Sequence, residues 1–273
     1  MKRQKKIAVI NDFSGFGRCS LTVSLPIISA MKIQCCAVPT AILSNHTGYE
    51  DYFFDDYTDK MKPYYMKWEK LGLKFDGIYT GFLGSEKQAQ IVEDFIERFA
   101  DENTVVTVDP AMADNGQTYA TIDEKLCREM KNLIPLSNII TPNLTEACIL
   151  TDTKYHGSEY SMEEIEEIAD KLEKMGAKKI VITGIMKGES IGNFICDGDK
   201  RKLLEYRVTG ISHAGTGDVF ASIISADAVN GVGFELSVKK AAEFVGKCVA
   251  LSNEMEIPVQ DGVCFEEILD LLV

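Results

Sequence analysis

An α/β fold with a mostly parallel central sheet and helices on both faces is what this sequence predicts. Short apolar runs alternate with longer stretches of helical periodicity along the whole chain. The runs are near-continuously apolar, as strands covered on both faces are. No Pro/Gly/Ser-rich linker divides the 273 residues and no internal repeat is present, so a single domain over residues 1–273 is expected.

Taken in order, Lys6–Ile10 reads as a strand, Ser20–Met31 as a helix and Cys35–Val38 as a second strand. Asn45–Asp59 is aromatic and acidic and fits neither helix nor core strand; it is expected as a small flap over a site. Asp56–Leu71 is helical and Gly77–Thr80 is a strand. Ser85–Ala100 opens on a capping residue and carries Ile91, Val92, Phe95, Ile96 and Phe99 at helical spacing. Thr104–Val108 is a strand that ends at Asp109-Pro110, Ile122–Leu133 is a helix, and Asn138–Thr141 is a strand stopped by Pro142. Met162–Met175 is an amphipathic helix closed by Gly176; its Glu163-Glu164-Ile165-Glu166-Glu167 run reads as a solvated face. Lys179–Thr183 is a strand. Gly192–Cys196 and Lys202–Val208 flank Asp197-Gly198-Asp199 and predict a hairpin. Gly217–Asn230, Leu236–Asn253 and the shorter Phe265–Leu272 complete the helices.

Lys+Arg is 29 and Asp+Glu is 42, a net charge of −13. That balance excludes a general nucleic-acid binder, which needs a basic face to displace counterions. The basic start Met1–Lys6 is followed by only four apolar residues before Asn11-Asp12, and no apolar stretch has the length of a membrane helix. A soluble, cytoplasmic protein is expected. The eight cysteines include no CxxC pair and the three histidines no HExxH, so neither a disulfide framework nor a structural zinc site is expected.

In open α/β sheets, ligands bind beyond the carboxyl ends of the strands. After the first strand comes Asn11-Asp12-Phe13-Ser14-Gly15-Phe16-Gly17. Gly15-x-Gly17-x-x-Ser20 approaches a dinucleotide fingerprint, but Ser20 replaces the third glycine and Val38-Pro39-Thr40 offers no acid for a ribose. A plain strand-to-helix turn and a substrate loop bearing Asp12 and Ser14 are the other readings.

The strongest signal is His213-Ala214-Gly215-Thr216-Gly217-Asp218, leading into an apolar helix. Unpaired N–H groups at such a helix start make an anion site, and Asp218 falls in the first turn. A simple N-cap is the competing reading. A carboxylate beside an anion cradle can take a proton from an alcohol while the N–H groups stabilise a transferring phosphoryl group. Thr107-Val108-Asp109-Pro110 puts a second carboxylate at a strand end. Asn143 and Glu146, three apart, form either a capping box or oxygen ligands for a water-rich Mg²⁺. No GxxxxGK[ST] loop is present.

Together these segments resemble the ribokinase superfamily, and most closely its pyridoxal/pyridoxamine kinase branch. The resemblance is carried by Ser44-Asn45-His46-Thr47-Gly48-Tyr49, Thr80-Gly81-Phe82-Leu83-Gly84-Ser85, Asp109-Pro110, Thr141-Pro142-Asn143-Leu144-Thr145-Glu146 and Gly215-Thr216-Gly217-Asp218. It implies a Rossmann-like ribokinase fold, Mg·ATP as donor, and transfer to the 5′-hydroxymethyl group of a B6 vitamer. It implies Asp218 as base and Gly215, Thr216 and Gly217 as the anion hole. Asn143 and Glu146 would organise Mg²⁺ through water, with Asn143, Thr183, Asp109 and Asp114 on the ATP and phosphate side. His46, Thr47, Phe82, Asp12 and Ser14 would line the vitamer pocket. A homodimer and a K⁺ requirement are further implications. The turn Asn11–Gly15 departs from the Ser-His of typical pyridoxal kinases and is similar to that of hydroxymethylpyrimidine kinases, whereas those usually carry Cys where Asp218 stands. A hydroxymethylpyrimidine or sugar kinase, a non-catalytic sensor and an NAD-binding oxidoreductase are the alternatives.

Overall fold

The computed structural model describes residues 3–157 and 160–273; Met1 and Lys2 of the basic start lie outside them. The elements run β1 (Lys6–Phe16), α1 (Ser20–Ala30), β2 (Gln34–Asn45), β3 (Phe54–Asp56), α2 (Thr58–Lys70), β4 (Gly77–Thr80), α3 (Glu86–Phe99) and β5 (Val105–Val108). A small ribbon of β6 (Ala113–Asp114) and β7 (Gln117–Thr118) follows, then α4 (Glu124–Leu133), β8 (Ile139–Ile140), α5 (Leu144–Leu150) and α6 (Met162–Lys174). The chain closes with β9 (Lys179–Lys187), β10 (Ser190–Asp197), β11 (Lys200–Arg207), α7 (Thr216–Asn230) and α8 (Phe234–Glu254).

The main sheet has the order β11-β10-β9-β8-β5-β4-β1-β2-β3. Pairings from β2 through β9 are parallel, and antiparallel strands finish both edges. One apolar layer packs α1, α7 and α8 on one face, around Val23, Ile27, Ile223 and Val238. The other packs α2 to α6 on the opposite face, around Tyr65, Phe95, Leu126 and Ile168. This is the expected mostly parallel sheet covered on both faces.

The chain moves from β1 to β2 on one side and then returns to β4 on the other. That reversal makes the place where the β1–β4 pairing ends a topological switch point, where doubly wound sheets hold ligands.

Several elements differ from the sequence expectation. The first two strands do not stop at Ile10 and Val38 but continue as a parallel pair to Phe16 and Asn45, with an irregularity between Asn11 and Phe13. β3 pairs antiparallel with β2 in the middle of the expected 45–59 flap. A three-stranded ribbon therefore stands over the carboxyl edge of the sheet. This also removes the dinucleotide reading: Gly15 lies inside a strand, and Gly17 (φ +84°) turns against His46 rather than opening a helix. β9 runs past Thr183 to Lys187 in the hairpin with β10. The last helix is a 3₁₀ helix, Glu266–Leu272. All eight cysteines are free; burial raises the thiol of Cys35, which suits a small apolar filler rather than a nucleophile. Among the described residues no helix is long and apolar enough to cross a membrane.

Candidate active site

Gly215 is the N-cap of α7 and sits at φ +79°. A side chain there would be strained, and its Cβ would collide with the Arg18 carbonyl oxygen. The N-cap therefore has no side chain to satisfy the N–H groups that follow. Gly217 has ordinary space: nothing lies within 4 Å of the position its Cβ would take. Its missing side chain leaves the face of the turn open, a cradle for an anion at the positive end of a helix dipole.

Asp218 occupies the third position of α7 and is half-buried. Asn11, in β1 just past the point where its pairing with β4 ends, donates from Nδ2 to Asp218 Oδ1 at 3.1 Å. The Ser20 backbone N–H, at the uncapped start of α1, also faces this carboxylate. Burial raises the Asp218 pKa and the Asp12 charge adds to it; the Ser20 and Asn11 hydrogen bonds oppose them, and the balance is about 6. Asp12 is buried; its carboxylate accepts from Ser14 Oγ at 3.0 Å and from Ser20 Oγ. Desolvation raises the Asp12 pKa as well.

A second cluster forms just beyond β5 and β8, beside Thr183 of β9. Thr141 Oγ1 donates to Asp109 Oδ1 at 3.0 Å. Asn143 and Glu146 make the capping box of α5: Glu146 N–H donates to Asn143 Oδ1 at 2.9 Å, and Asn143 N–H donates to Glu146 Oε2 at 2.8 Å. Glu146 Oε1 also accepts from the Met112 N–H at 3.0 Å. Thr183 bridges to Asn143 in the sheet, and its N–H donates to the Pro142 carbonyl at 2.9 Å. The Asp109 and Glu146 carboxyls are both held well above the ordinary range, first by burial and then by a neighbouring acid, Asp218 for Asp109 and Asp109 for Glu146. Among the described residues no basic side chain makes an ion pair with Asp109, Glu146 or Asp218, and none figures among the causes of their shifts.

This oxygen-only, uncompensated cluster fits a hard divalent cation. Among the described residues no three metal-binding side chains converge on one point, and Glu146 already serves three backbone N–H groups. A cation here would have to be held largely through water rather than by a protein cage.

Not every expected residue joins these clusters. Asp114 is exposed and its carboxylate accepts from the Asn115 N–H at 2.8 Å. Phe82 contributes its backbone: its N–H donates to Asn11 Oδ1 at 2.8 Å. His46 accepts from the Gly48 N–H on Nδ1 at 3.1 Å, which leaves Nε2 as the donor to the Gln260 carbonyl at 2.6 Å. Tyr49 Oη donates to Asp261 Oδ1 at 2.8 Å. Thr47 is half-buried between them. The same C-terminal segment bonds the anion turn, Ala214 N–H to the Val259 carbonyl at 3.1 Å. It thus ties the loop around His46 to the start of α7.

Three participants were not singled out from sequence. Asn11 links Asp218 to Phe82, and Gly81 is a glycine because a Cβ there would collide with the Asn11 amide. Ser20 holds Asp12. Tyr119 is joined to the cluster through its backbone: its N–H donates to the carbonyl of Met112, the residue whose own N–H serves Glu146, at 3.0 Å.

The doubly wound sheet, the open turn and the carboxylates around it define a small-molecule kinase scaffold of the ribokinase type. The phosphomethylpyrimidine kinase family matches residues 25–263, and the chain belongs to that family. It is similar to a Bacteroides thetaiotaomicron VPI-5482 protein provisionally assigned as a phosphomethylpyrimidine kinase: TM-score 0.96, 36% identity, 99% of this chain and 94% of that one. A second crystal form of that protein, solved with pyridoxal, superposes with TM-score 0.93 at 35% identity, over 99% of this chain and 96% of that one. A Schizosaccharomyces pombe protein provisionally assigned as a pyridoxal kinase is 29% identical over 69% of this chain and 57% of its own length. The hydroxymethylpyrimidine/phosphomethylpyrimidine kinase of Bacillus subtilis (strain 168) is 29% identical over 65% of this chain and 64% of its own. The match thus spans less than two thirds of the length of either of these two relatives.

Proposed function

We propose that this protein transfers the γ-phosphoryl group of ATP to the 5′-hydroxymethyl group of a B6 vitamer, regenerating pyridoxal 5′-phosphate or its analogues. The placement of Asp218 carries the reading: a half-buried carboxylate with its pKa raised to about 6, bonded to Asn11 and lying in the first turn of a helix whose N-cap glycine leaves the leading N–H groups without a side-chain partner. Asp218 takes the hydroxyl proton of the vitamer. The alcohol oxygen forms its bond to the γ-phosphorus while the bond to the bridging oxygen breaks, and the electron pair leaves on ADP. The Gly215, Thr216 and Gly217 turn holds the charge of the group in transit.

Asn143, Thr183, Asp109 and Asp114 would take the nucleotide side. Mg²⁺, positioned through water by Glu146 and Asn143, would neutralise phosphate charge when bound. Asp12, Ser14, His46, Thr47 and the Phe82 segment would line the vitamer side. A homodimer and a K⁺ requirement belong to the same proposal. The pyridoxal-bound relative at 35% identity supports the vitamer. Hydroxymethylpyrimidine is the second reading, supported by the Bacillus subtilis relative. It shares a flat heteroaromatic ring with a primary alcohol.

The test is a coupled ADP-release assay with Mg·ATP, with and without K⁺. It compares pyridoxal, pyridoxamine, pyridoxine and hydroxymethylpyrimidine, with ribose as control. The highest kcat/KM on a B6 vitamer supports the proposal; the highest on hydroxymethylpyrimidine transfers it to the second reading.

A further inference from the structure

The opposite edge of the sheet carries a second cleft, with a volume of about 440 Å³. Val105, Ile139 and Lys179, which open β5, β8 and β9, form one wall; Ile224 and Ala228 of α7 and the turn Gly231–Gly233 form the other. It therefore lies at the amino ends of the strands, at the far end of α7 from Asp218.

Its polar end is the start of α8, a 21-residue helix capped by Gly233 with no side-chain hydrogen bond. The Phe234, Glu235 and Leu236 N–H groups thus have neither an intrahelical acceptor nor a cap. Ser237 lines the cleft, is only 2% exposed, and its Oγ has no hydrogen-bond partner among the described residues. A buried hydroxyl left unpaired costs stability and calls for a partner. Lys179 also lines the cleft, with Nζ 5.6 Å from the centre of the Phe234 ring. Asn138 uses Oδ1 to accept from the Val106 N–H, which leaves its amide donors for the cleft.

The nearby acids have cations of their own. Glu235 is paired with Lys202 and Lys239 at 2.9 and 2.8 Å, and Asp227 with Lys240 at 3.0 Å. Asp197 stands 3.8 Å from Lys179 Nζ and is its only ion-pair partner among the described residues.

We propose that this cleft is a second binding site, for a phosphomonoester with an apolar body. The helix N–H groups, Ser237 Oγ, Lys179 and Asn138 supply more donors than the two oxygens of a carboxylate can use, and enough for the three terminal oxygens of a phosphate. Val105, Ile139, Val232 and Phe234 seat the apolar part.

The test is an amide NMR titration of the full chain with phenyl phosphate, with benzoate and inorganic phosphate in parallel arms. Saturable shifts at Gly231, Gly233 and Ser237, stronger for phenyl phosphate than for either comparison anion, support the site. Lys179→Met keeps the apolar stem and removes the charge, and should weaken this binding about tenfold. Ser237→Ala removes an unpartnered hydroxyl; it should leave thermal stability unchanged or higher while weakening binding, a pair of effects that a packing role would not produce. Shifts confined to Thr216 and Gly217 would place the ligand in the catalytic pocket alone and overturn the proposal. Equal binding of benzoate, or binding indifferent to Lys179→Met, would overturn it too.

Discussion

Asn11 and Asp218 meet across 207 positions of sequence, the amide nitrogen of one donating at 3.1 Å to the carboxylate of the other. The same Asn11 amide accepts from the Phe82 N–H at 2.8 Å. One side chain at the switch point of the sheet therefore orients the candidate base and fixes the loop after β4. Burial and the Asp12 charge favour the protonated form of Asp218; the Ser20 N–H and, to a lesser degree, the Asn11 amide favour the ionised one.

Asp218→Asn should preserve the fold and ATP binding, because the amide is isosteric and the anion turn is built from backbone. It should lose at least roughly 10² in kcat, the lower scale of general-base catalysis. Steady-state kinetics beside a nucleotide-binding titration separate the two effects. A variant with near-normal kcat removes Asp218 from the role.

The pH profile carries the same claim. A base with a pKa of about 6 must be ionised to act, so kcat/KM should rise with pH through about 6 and level off above it. The Asn11 bond lowers that value, so Asn11→Ala should move the limb to higher pH. A limb unmoved by this substitution would mean that another group sets the profile.

Gly215 and Gly217 should respond differently to alanine. At Gly215 the positive φ and the collision with Arg18 give a loss of about 1–3 kcal/mol in stability. At Gly217 the added methyl group finds space, so Gly217→Ala should fold normally and raise KM for ATP by crowding the cradle. Thermal melts and KM values, measured together, check the contrast.

The buried acids predict a cation-dependent stability. Asp109 and Glu146 have folded-state pKa values above those of the unfolded chain, so the folded protein binds more protons in the window between the two. Stability of the metal-free protein should therefore fall as pH rises through that window. Asp109→Asn should be more stable than the parent at neutral pH, with the advantage shrinking as pH falls towards 3.8, the ordinary Asp value. Mg·ATP should stabilise the parent more than the variant. Denaturant midpoints across pH read all three.

The sheet, its direction and most helices were legible because long apolar runs and 3.6-residue periodicity survive in sequence, as in Phe95–Phe99 and Ile165–Leu172. Some elements too short for a period were not read: β3 has three residues, β6 and β7 two each, and α5 seven, whereas the equally short β8 was marked by the Pro142 that stops it. The extension of β1 through Asn11, Asp12 and Ser14 was hidden because these buried polar side chains bond one another, Ser20, Phe82 and Asp218 rather than filling an apolar core. Asp218, Asp109, Asn143 and Glu146 could be found because each follows a strand or opens a helix. Asn11, Ser20 and Tyr119 could not, since their positions follow from contacts that only the folded chain creates. His46 was legible as a motif residue, but its hydrogen bond to the Gln260 carbonyl was not.

The most direct measurement is phosphorus NMR of the protein turning over Mg·ATP in the presence of pyridoxal. The account predicts that a phosphomonoester resonance grows in step with ADP, and that Asp218→Asn abolishes both. ADP accompanied only by inorganic phosphate, at a rate indifferent to pyridoxal, would contradict it.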